Sequence, residues 1–205
     1  MSLKFVGISQ RLVQNESYFE LREALSLEWG VFFKKQMQGF LPLPLSYELD
    51  FALYEPFLAG VILSGGNDLS IFNENELCKK RDAYENELLK TCMLKNKPVL
   101  GICRGAQLIA SFFGSSLKKC EDHIGKHEVK DMKEELSFEV NSFHNFSICA
   151  LGQDLQGLFK ADDESIEAFK HKNFDIYATM WHIERAGGLE NTQVLDEFKK
   201  SLNKA

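Results

Sequence analysis

Two short runs of consecutive apolar residues, at 60–63 and 98–102, place the strongest limit on the fold of this 205-residue chain. Each run is followed by a helical pattern, over about 74–95 and about 105–113. A strand that is apolar at every position must be covered on both faces, as happens when helices connect parallel strands. The sequence therefore predicts an α/β protein, a three-layer α/β/α sandwich with a mostly parallel central sheet.

The remaining elements extend this prediction along the chain. A strand over 5–8 precedes a helix that opens at Ser17-Tyr18-Phe19-Glu20, the spacing of a capping box, and runs to about Lys35. Pro42 to Pro44 indicate a turn. Beyond residue 115 the apolar pattern alternates, which is typical of a small antiparallel extension followed by the last core strand. These strands are predicted over 127–132, 136–140, 147–149, 165–169 and 175–180, and a helix over 192–202 closes a single domain of residues 1–205.

Composition excludes several classes of protein. The 24 Lys and Arg against 30 Asp and Glu give a net charge of −6, which argues against a protein that grips nucleic acid or an anionic membrane. No apolar stretch approaches the length of a membrane span, and the first residues lack the pattern of a signal peptide. Five scattered cysteines contain no Cys-x-x-Cys pair, so a disulfide framework is disfavoured. We expect a cytoplasmic protein with reduced thiols and with neither membrane nor nucleic acid as a partner.

The sharpest chemical signal is Gly101-Ile102-Cys103-Arg104-Gly105, at the junction between a buried strand and a helix. This is the pattern of a nucleophile elbow with Cys in place of Ser. The glycines allow the tight reversal and the close approach of neighbouring backbone, while the helix N-terminus favours a thiolate. We expect Cys103 to be a nucleophile; the alternative is a small buried cysteine on a glycine-rich turn.

A base and a group that orients it are expected at His182 and Glu184, just after the last core strand. Residues two apart on an extended chain share a side, so the carboxylate can hold one imidazole nitrogen while the other faces sulfur. Alone, such a pair is weak evidence and indicates a surface contact. Together with the upstream elbow it predicts a Cys-His-Glu triad.

An oxyanion hole is expected from Ser64-Gly65-Gly66, at the end of the strand over 60–63. Ligands of α/β sheets bind at this edge, and the N–H groups of Gly66 and Arg104 could converge beside the sulfur. A glycine pair taken alone would indicate an ordinary turn.

These motifs, in this order and at these spacings, resemble the class I glutamine amidotransferase superfamily, and most closely its stand-alone γ-glutamyl hydrolase branch. The resemblance covers nearly the whole chain and implies a flavodoxin-like fold. It implies Cys103 as nucleophile, His182 as base and Glu184 as orienting acid, with Gly66 and Arg104 at the oxyanion hole. It implies neither a cofactor nor a metal. The substrate contacts that it implies are Gln107, Asn141, Ser142, Phe143 and His144.

The family usually has Pro between the His and the Glu, whereas this chain has Ile183. Proline supplies rigidity rather than chemistry, so this departure bears on the stiffness of the loop.

The implied reaction is hydrolysis of a γ-glutamyl amide, a small molecule, through a thioester that releases glutamate. We expect a larger, phosphorylated leaving group and no obligatory synthase partner. The candidates to contact that group are Arg11, Asn67, Asp68 and Arg104; alternatively, Arg11 is a surface residue and Arg104 points into helix packing. The alternative is a glutaminase subunit that delivers ammonia to a separate synthase chain. A cysteine α/β-hydrolase is disfavoured because that fold places its acid before its His.

Other polar groups carry weaker signals. Cys120, His123 and His127, beside Glu121 and Asp122, have metal-ligand residue types, but Gly125 interrupts their spacing, and we expect a polar surface loop there. His171 and the run Lys79-Lys80-Arg81 are predicted to be solvated.

Overall fold

The computed structural model describes residues 4–121, 123–134 and 136–204, which form thirteen strands and four α-helices. The strands are β1 (Lys4–Ile8), β2 (Arg11–Gln14), β3 (Leu21–Ala24), β4 (Phe40–Pro44), β5 (Leu58–Leu63), β6 (Val99–Ile102), β7 (Ser116–Lys119), β8 (Ile124–Asp131), β9 (Ser137–Phe143), β10 (Phe146–Ala150), β11 (Leu155–Ala161), β12 (Ile166–His171) and β13 (Ile176–Thr179). The helices are α1 (Glu28–Gln36), α2 (Glu76–Leu94), α3 (Arg104–Phe112) and α4 (Gln193–Leu202). Among these described helices, none combines the length and hydropathy that crossing a membrane requires.

Five strands form a parallel sheet in the order β4-β1-β5-β6-β13. This is the flavodoxin-like order, in which the chain runs outward in one direction from β1 and then in the other. Side chains of α1 and α4 pack on one face of the sheet, and those of α2 and α3 pack on the other. The predicted three-layer sandwich with a parallel centre is therefore confirmed.

The central strands are buried on both faces, as their continuous apolar sequences predict. Ile62, Leu100 and Ile102 pack in the core beneath α1 and α4, while Val61 and Val99 pack in the core beneath α2 and α3. The edge at which these strands end carries the loops after β5, β6 and β13. That edge is where the predicted triad and oxyanion residues meet.

An antiparallel extension continues the sheet beyond β13, and it is larger than the small one expected. Strands β12, β11, β8 and β9 follow in order, while β10 pairs with β12 and β7, which makes six strands. Strands β7 and β11 were not predicted. Lys118 and Lys119 leave β7 largely exposed, and Gly157 lies inside β11, so neither segment has a clear alternating pattern.

The helix predicted from Ser17 to Lys35 is wrong over its first half. Residues 21–24 form β3, which pairs with β2 as a two-stranded antiparallel hairpin, and α1 begins only at Glu28. Tyr18 and Phe19 are exposed, so this segment has no apolar face to pack as a helix. The hairpin is instead tied to the body of the protein by Glu23, whose Oε1 accepts hydrogen bonds from Ser46 Oγ at 2.9 Å and Tyr47 N at 2.6 Å.

The turn predicted at Pro42 to Pro44 is also wrong, because these prolines lie in β4. Strand β4 is the edge of the parallel sheet and pairs with β1 alone. An edge strand needs hydrogen-bond donors on one side only, so it tolerates proline.

His171 is buried near the end of β12, which contradicts its predicted solvation. Its Nδ1 accepts hydrogen bonds from the N–H groups of Asn173 at 3.0 Å and Phe174 at 3.1 Å. Burial lowers the pKa of His171, so the side chain acts as a neutral acceptor that shapes this turn.

Candidate active site

Cys103 occupies a strained turn between β6 and α3. Its backbone has φ 52° and ψ −106°, a conformation that side chains other than glycine rarely adopt. The flanking glycines permit this turn: a Cβ on Gly105 would lie 2.1 Å from the carbonyl oxygen of Leu63, and one on Gly101 would lie 2.8 Å from Gly105. The expected strand-to-helix elbow is present, with the sulfur at the N-terminus of α3.

His182 lies beside Cys103 and is held by Glu184. His182 Nδ1 is 2.7 Å from Glu184 Oε1, and both side chains are buried. Burial alone would lower the pKa of His182, but the hydrogen bonds to Cys103 and Glu184 outweigh it and raise the pKa to about 9. The imidazole is therefore held as a cation between a sulfur and a carboxylate, the arrangement that a Cys-His-Glu triad requires.

Asn141 fixes the backbone that carries His182. Its Oδ1 accepts a hydrogen bond from His182 N at 2.8 Å, and its Nδ2 donates to the carbonyls of His182 at 2.9 Å and Ala186 at 3.0 Å. Ile183, which stands where the family usually has Pro, is buried in the core beneath α1 and α4. The hydrogen bonds of the Asn141 amide and the packing of Ile183 stiffen this loop in place of the proline.

The loop after β5 presents the N–H of Gly66 to the same cleft. Arg81 binds three successive carbonyls of this loop, on Ser64, Gly65 and Gly66. Because the carbonyl and the N–H of a trans peptide point in opposite directions, holding the Gly65 carbonyl turns the Gly66 N–H away from Arg81. Neither the Gly66 N–H nor the Arg104 N–H donates a hydrogen bond to another described residue. Both therefore remain available as oxyanion donors.

A buried network of four charges underlies this loop. Arg81 pairs with Glu85 at 2.8 Å, while Arg104 pairs with both Glu85 and Asp82. Burial raises the pKa of Glu85, but the two guanidinium groups outweigh it and hold that pKa below its usual value, so Glu85 is ionised. Arg81 is thus fully buried rather than solvated, whereas Lys79 and Lys80 are exposed as predicted. The Arg104 side chain is likewise committed to the network, so the expectation that it contacts the leaving group is wrong.

Replacing Arg81 by Met is expected to destabilise the fold. The change leaves Asp82 and Glu85 with one guanidinium between them and frees three loop carbonyls, which should cost roughly 3–5 kcal/mol and lower the Tm by roughly 10 °C. Thermal unfolding of the purified variants measures this loss. Lys80→Met is the matched control, because the neighbouring lysine is exposed and its pair with Glu48 lies at the surface. Equal melting temperatures for the two variants would show that the network contributes nothing.

A cleft of about 500 Å³ opens over Cys103, His182 and Gly66. Gln107 lies one helical turn after Cys103 at the cleft wall, and its Nε2 donates to the Phe146 carbonyl at 2.9 Å. The predicted substrate residues that line the cleft are Gln107, Phe143 and His144. The side chains of Asn141 and Ser142 do not: Asn141 holds His182, and Ser142 Oγ donates to the His123 carbonyl at 2.6 Å.

Besides Arg104, Arg11 and Arg185 line the cleft. Arg11, on β2, lies so close to Gly66 that a Cβ there would meet its Cδ at 2.9 Å, and within the described ranges it forms no ion pair. Arg185, which was not predicted from the sequence, lies 4.9 Å from the centre of the Phe143 ring, 3.2 Å from Glu28 Oε2 and 3.7 Å from Glu184 Oε1. Asn67 was expected to contact the ligand, but its side chain binds the backbone N–H and carbonyl of Leu12 at 3.0 and 2.9 Å. Asp68 lines the cleft.

The parallel α/β/α sandwich carries a cysteine elbow, a His-Glu pair and two backbone N–H groups without a partner in the described part of the chain. This combination defines a hydrolase with a cysteine nucleophile. Residues 57–201 match the family model described as glutamine amidotransferase class-I, and the chain belongs to this family. A protein of Campylobacter jejuni named γ-glutamyl-CDP-amidate hydrolase is 55% identical over 195 residues, which cover 95% of this chain and 96% of that protein.

More distant relatives share the fold or the domain. The carbamoyl phosphate synthase small chain of Pyrococcus furiosus is 26% identical over 185 residues, covering 87% of this chain and 47% of that protein. A crystal structure of a glutamine amidotransferase from Thermotoga maritima superposes over all of this chain and 84% of that one, with a TM-score of 0.65 and 19% identity. These likenesses establish the fold and leave the substrate to be argued from the site.

Proposed function

We propose that this chain hydrolyses γ-glutamyl-CDP-amidate, releasing glutamate and cytidine diphosphoramidate. The observation that carries the proposal is the 55% identity, over nearly the full length of both chains, to a hydrolase of that substrate. The Cys-His-Glu geometry supports it with the chemistry that cleavage of a γ-glutamyl amide needs.

In the proposed reaction the Cys103 sulfur attacks the γ-carbonyl carbon, and the N–H groups of Gly66 and Arg104 stabilise the oxyanion. The C–N bond breaks as the His182 imidazolium gives its proton to the departing nitrogen, leaving a γ-glutamyl thioester. Water then loses a proton to His182 and attacks the thioester, the C–S bond breaks to release glutamate, and the Cys103 sulfur is again beside the His182 imidazolium. Glu184 keeps Nδ1 of His182 occupied, so that the other ring nitrogen faces the sulfur.

The leaving group is proposed to lie toward Arg11 and Arg185. A diphosphate is anionic, and planar guanidinium groups bind it in a bidentate manner. With Arg104 committed to buried carboxylates, these are the guanidinium groups that the described part of the cleft offers. The Arg11 side chain lies over Gly66, which would bring its charge close to a leaving group bound beside the oxyanion donor.

Substrate preference tests this proposal. Ammonia as leaving group would make no contact with either arginine, so glutamine should be a poor substrate and γ-glutamyl-CDP-amidate a good one. We expect kcat/KM to differ by about 10³-fold or more, since that ratio corresponds to two or three charge-assisted contacts. Arg11→Gln should raise the KM for the diphosphoramidate substrate about tenfold or more and leave glutamine hydrolysis unchanged.

Arg22→Gln is the matched control, because Arg22 lies on the partner strand of the same hairpin and pairs with Glu20 away from the cleft. The purified chain should act without a second protein. Preference for glutamine, or activity only with an added synthase, would instead favour the alternative in which the chain is a glutaminase component of a larger enzyme.

The activity should fall above about pH 9, where His182 loses the proton that the leaving nitrogen needs. Because the pKa of His182 is raised to about 9, the imidazolium persists through neutral pH and loses its proton as the pH rises through that value. Because Glu184 contributes to this increase, Glu184→Gln should move the alkaline limb of kcat/KM to lower pH. Glu87→Gln, an exposed carboxylate on α2, is the control. An alkaline limb that stays in place in Glu184→Gln would exclude this role for the pair.

A further inference from the structure

A second cluster of polar side chains lies in the antiparallel extension, around the buried carboxylate of Glu167 on β12. His123 Nδ1 and His144 Nε2 both lie 3.5 Å from Glu167 Oε1, and His127 Nε2 lies 3.4 Å from Glu167 Oε2. Glu167 is completely buried, and His123 and His144 are nearly so. The cluster is distinct from the triad, although His144 borders both the cluster and the cleft.

The other nitrogens of two imidazoles are already occupied. His144 Nδ1 lies 3.1 Å from the carbonyl oxygen of Phe146, and His123 Nε2 lies 3.3 Å from Asp163 Oδ2. Both oxygens accept, so each of these nitrogens carries the hydrogen and donates. In the neutral imidazole the remaining nitrogen then presents a lone pair. Imidazoles that bind metals are held in this way, with the non-ligating N–H donated to a carbonyl or a carboxylate.

Lone pairs of these nitrogens therefore face a carboxylate across a buried space. Within the described residues, His123 Nδ1, His127 Nε2, His144 Nε2 and both oxygens of Glu167 form no hydrogen bond of ordinary geometry. Acceptors that face one another without a donor repel, and burial away from water makes this costly. A cation between them removes the repulsion.

We propose that His123, His127 and Glu167 bind one zinc ion. Nitrogen and oxygen ligands about 2.0–2.2 Å from a tetrahedral zinc lie about 3.3–3.6 Å apart, which matches the contacts to Glu167. Ligand atoms of His123, His127 and Glu167 all lie within 4.8 Å of one another. Imidazole with carboxylate is a donor set that suits zinc.

The polar surface loop expected at 120–127 is wrong, because β8 begins at Ile124 and His123 is buried. Residues 123 and 127 are four apart on extended chain and share a face toward Glu167, so Gly125 does not separate them. Cys120 is not a ligand in this proposal, since the His144 nitrogen nearest its sulfur, at 3.8 Å, is Nδ1, which Phe146 occupies. Asp122 lies outside the described residues. A shallow cavity of about 220 Å³ beside His123 and His127 gives the ion a route from solvent.

The proposed zinc ion would stabilise the structure and would not take part in the reaction. It joins β8 to β12. His144 Nε2, 3.5 Å from Glu167 Oε1, connects it to the turn between β9 and β10, which carries Phe143 and Phe146 into the wall of the cleft. A zinc ion there would fix the wall without touching the substrate.

Zinc content of the full-length protein tests the proposal directly. After exposure to zinc and removal of loosely bound ion by dialysis, elemental analysis should find about one zinc per chain in the wild type. Cobalt in place of zinc should give the visible absorption of a tetrahedral site. The stoichiometry should fall to near zero in His127→Gln, whose side chain is only partly buried, and in Glu167→Gln. His171→Gln, which removes a buried histidine elsewhere on β12, should retain zinc.

Thermal unfolding separates binding in the folded state from adventitious binding. Zinc should raise the Tm of the metal-free wild type and leave the Tm of His127→Gln unchanged. Cys103→Ala should bind zinc as the wild type does, so this result is independent of the proposed hydrolysis. A wild-type protein that retains no zinc, or variants that retain as much as the wild type, would overturn the proposal.

Discussion

Cys103→Ser is expected to lower kcat by roughly 10⁴-fold or more while the protein remains folded. The serine oxygen occupies nearly the same place, but a hydroxyl is intrinsically a much weaker nucleophile than a thiol. Cys103→Ala should lose at least as much. Steady-state hydrolysis of γ-glutamyl-CDP-amidate, with circular dichroism to confirm folding, measures both effects.

The control for this change is Cys149→Ser, because Cys149 is exposed on β10 and outside the cleft. Its activity should match that of the wild type. Cys103→Gly adds a structural test: glycine adopts φ 52° without strain, so this inactive variant should be no less stable than Cys103→Ala. Retention of more than a few per cent of activity in Cys103→Ala would remove Cys103 from the mechanism.

His182→Ala is expected to be nearly as damaging, with a loss in kcat of roughly 10³-fold or more. It removes the proton donor for the leaving nitrogen and the base for water. The effect should fall on kcat rather than on KM, because His182 acts on the reacting bond. Rates at saturating substrate, with KM determined in the same series, provide the measurement.

His171→Ala is the matched control, since it also removes a buried imidazole but lies away from the cleft. It should lower stability and leave the rate per folded molecule unchanged. A His182→Ala enzyme with wild-type kcat would show that another group moves the proton.

The parallel core could be predicted because a strand that is apolar at every position must be buried on both faces. The runs at 60–63 and 98–102 are apolar at every position, and Gly101 and Gly105 flank the one cysteine that lies at a strand–helix junction. Local sequence was misleading where tertiary contacts decided the outcome. Ser17 to Glu20 has the spacing of a helix start, yet Glu23 binds Ser46 and Tyr47 and stabilises a hairpin instead.

The parts of the site that sequence reasoning missed depend on partners far apart in the chain. Nothing in a lysine-rich helix start indicates that Arg81 reaches under the loop at Ser64–Gly66, or that Arg104 is neutralised by Asp82 and Glu85. Arg185 directly follows Glu184 and was accessible to the same motif reasoning. Glu167 had no local signal, since its neighbours in sequence are those of an ordinary buried strand.

Arg81 and Arg104 differ from Arg11 in how freely they can be replaced. Arg81 and Arg104 lie beneath the oxyanion loop in a network without net charge, so a substitution at either position requires a compensating change at Asp82 or Glu85. Arg11 and Arg185 lie on other elements at the cleft surface, and replacing Arg11 disturbs no buried partner. Substitutions at Arg11 can therefore change which leaving group binds, while the residues that break the amide bond stay the same. The substrate range of this fold can diverge without loss of catalysis.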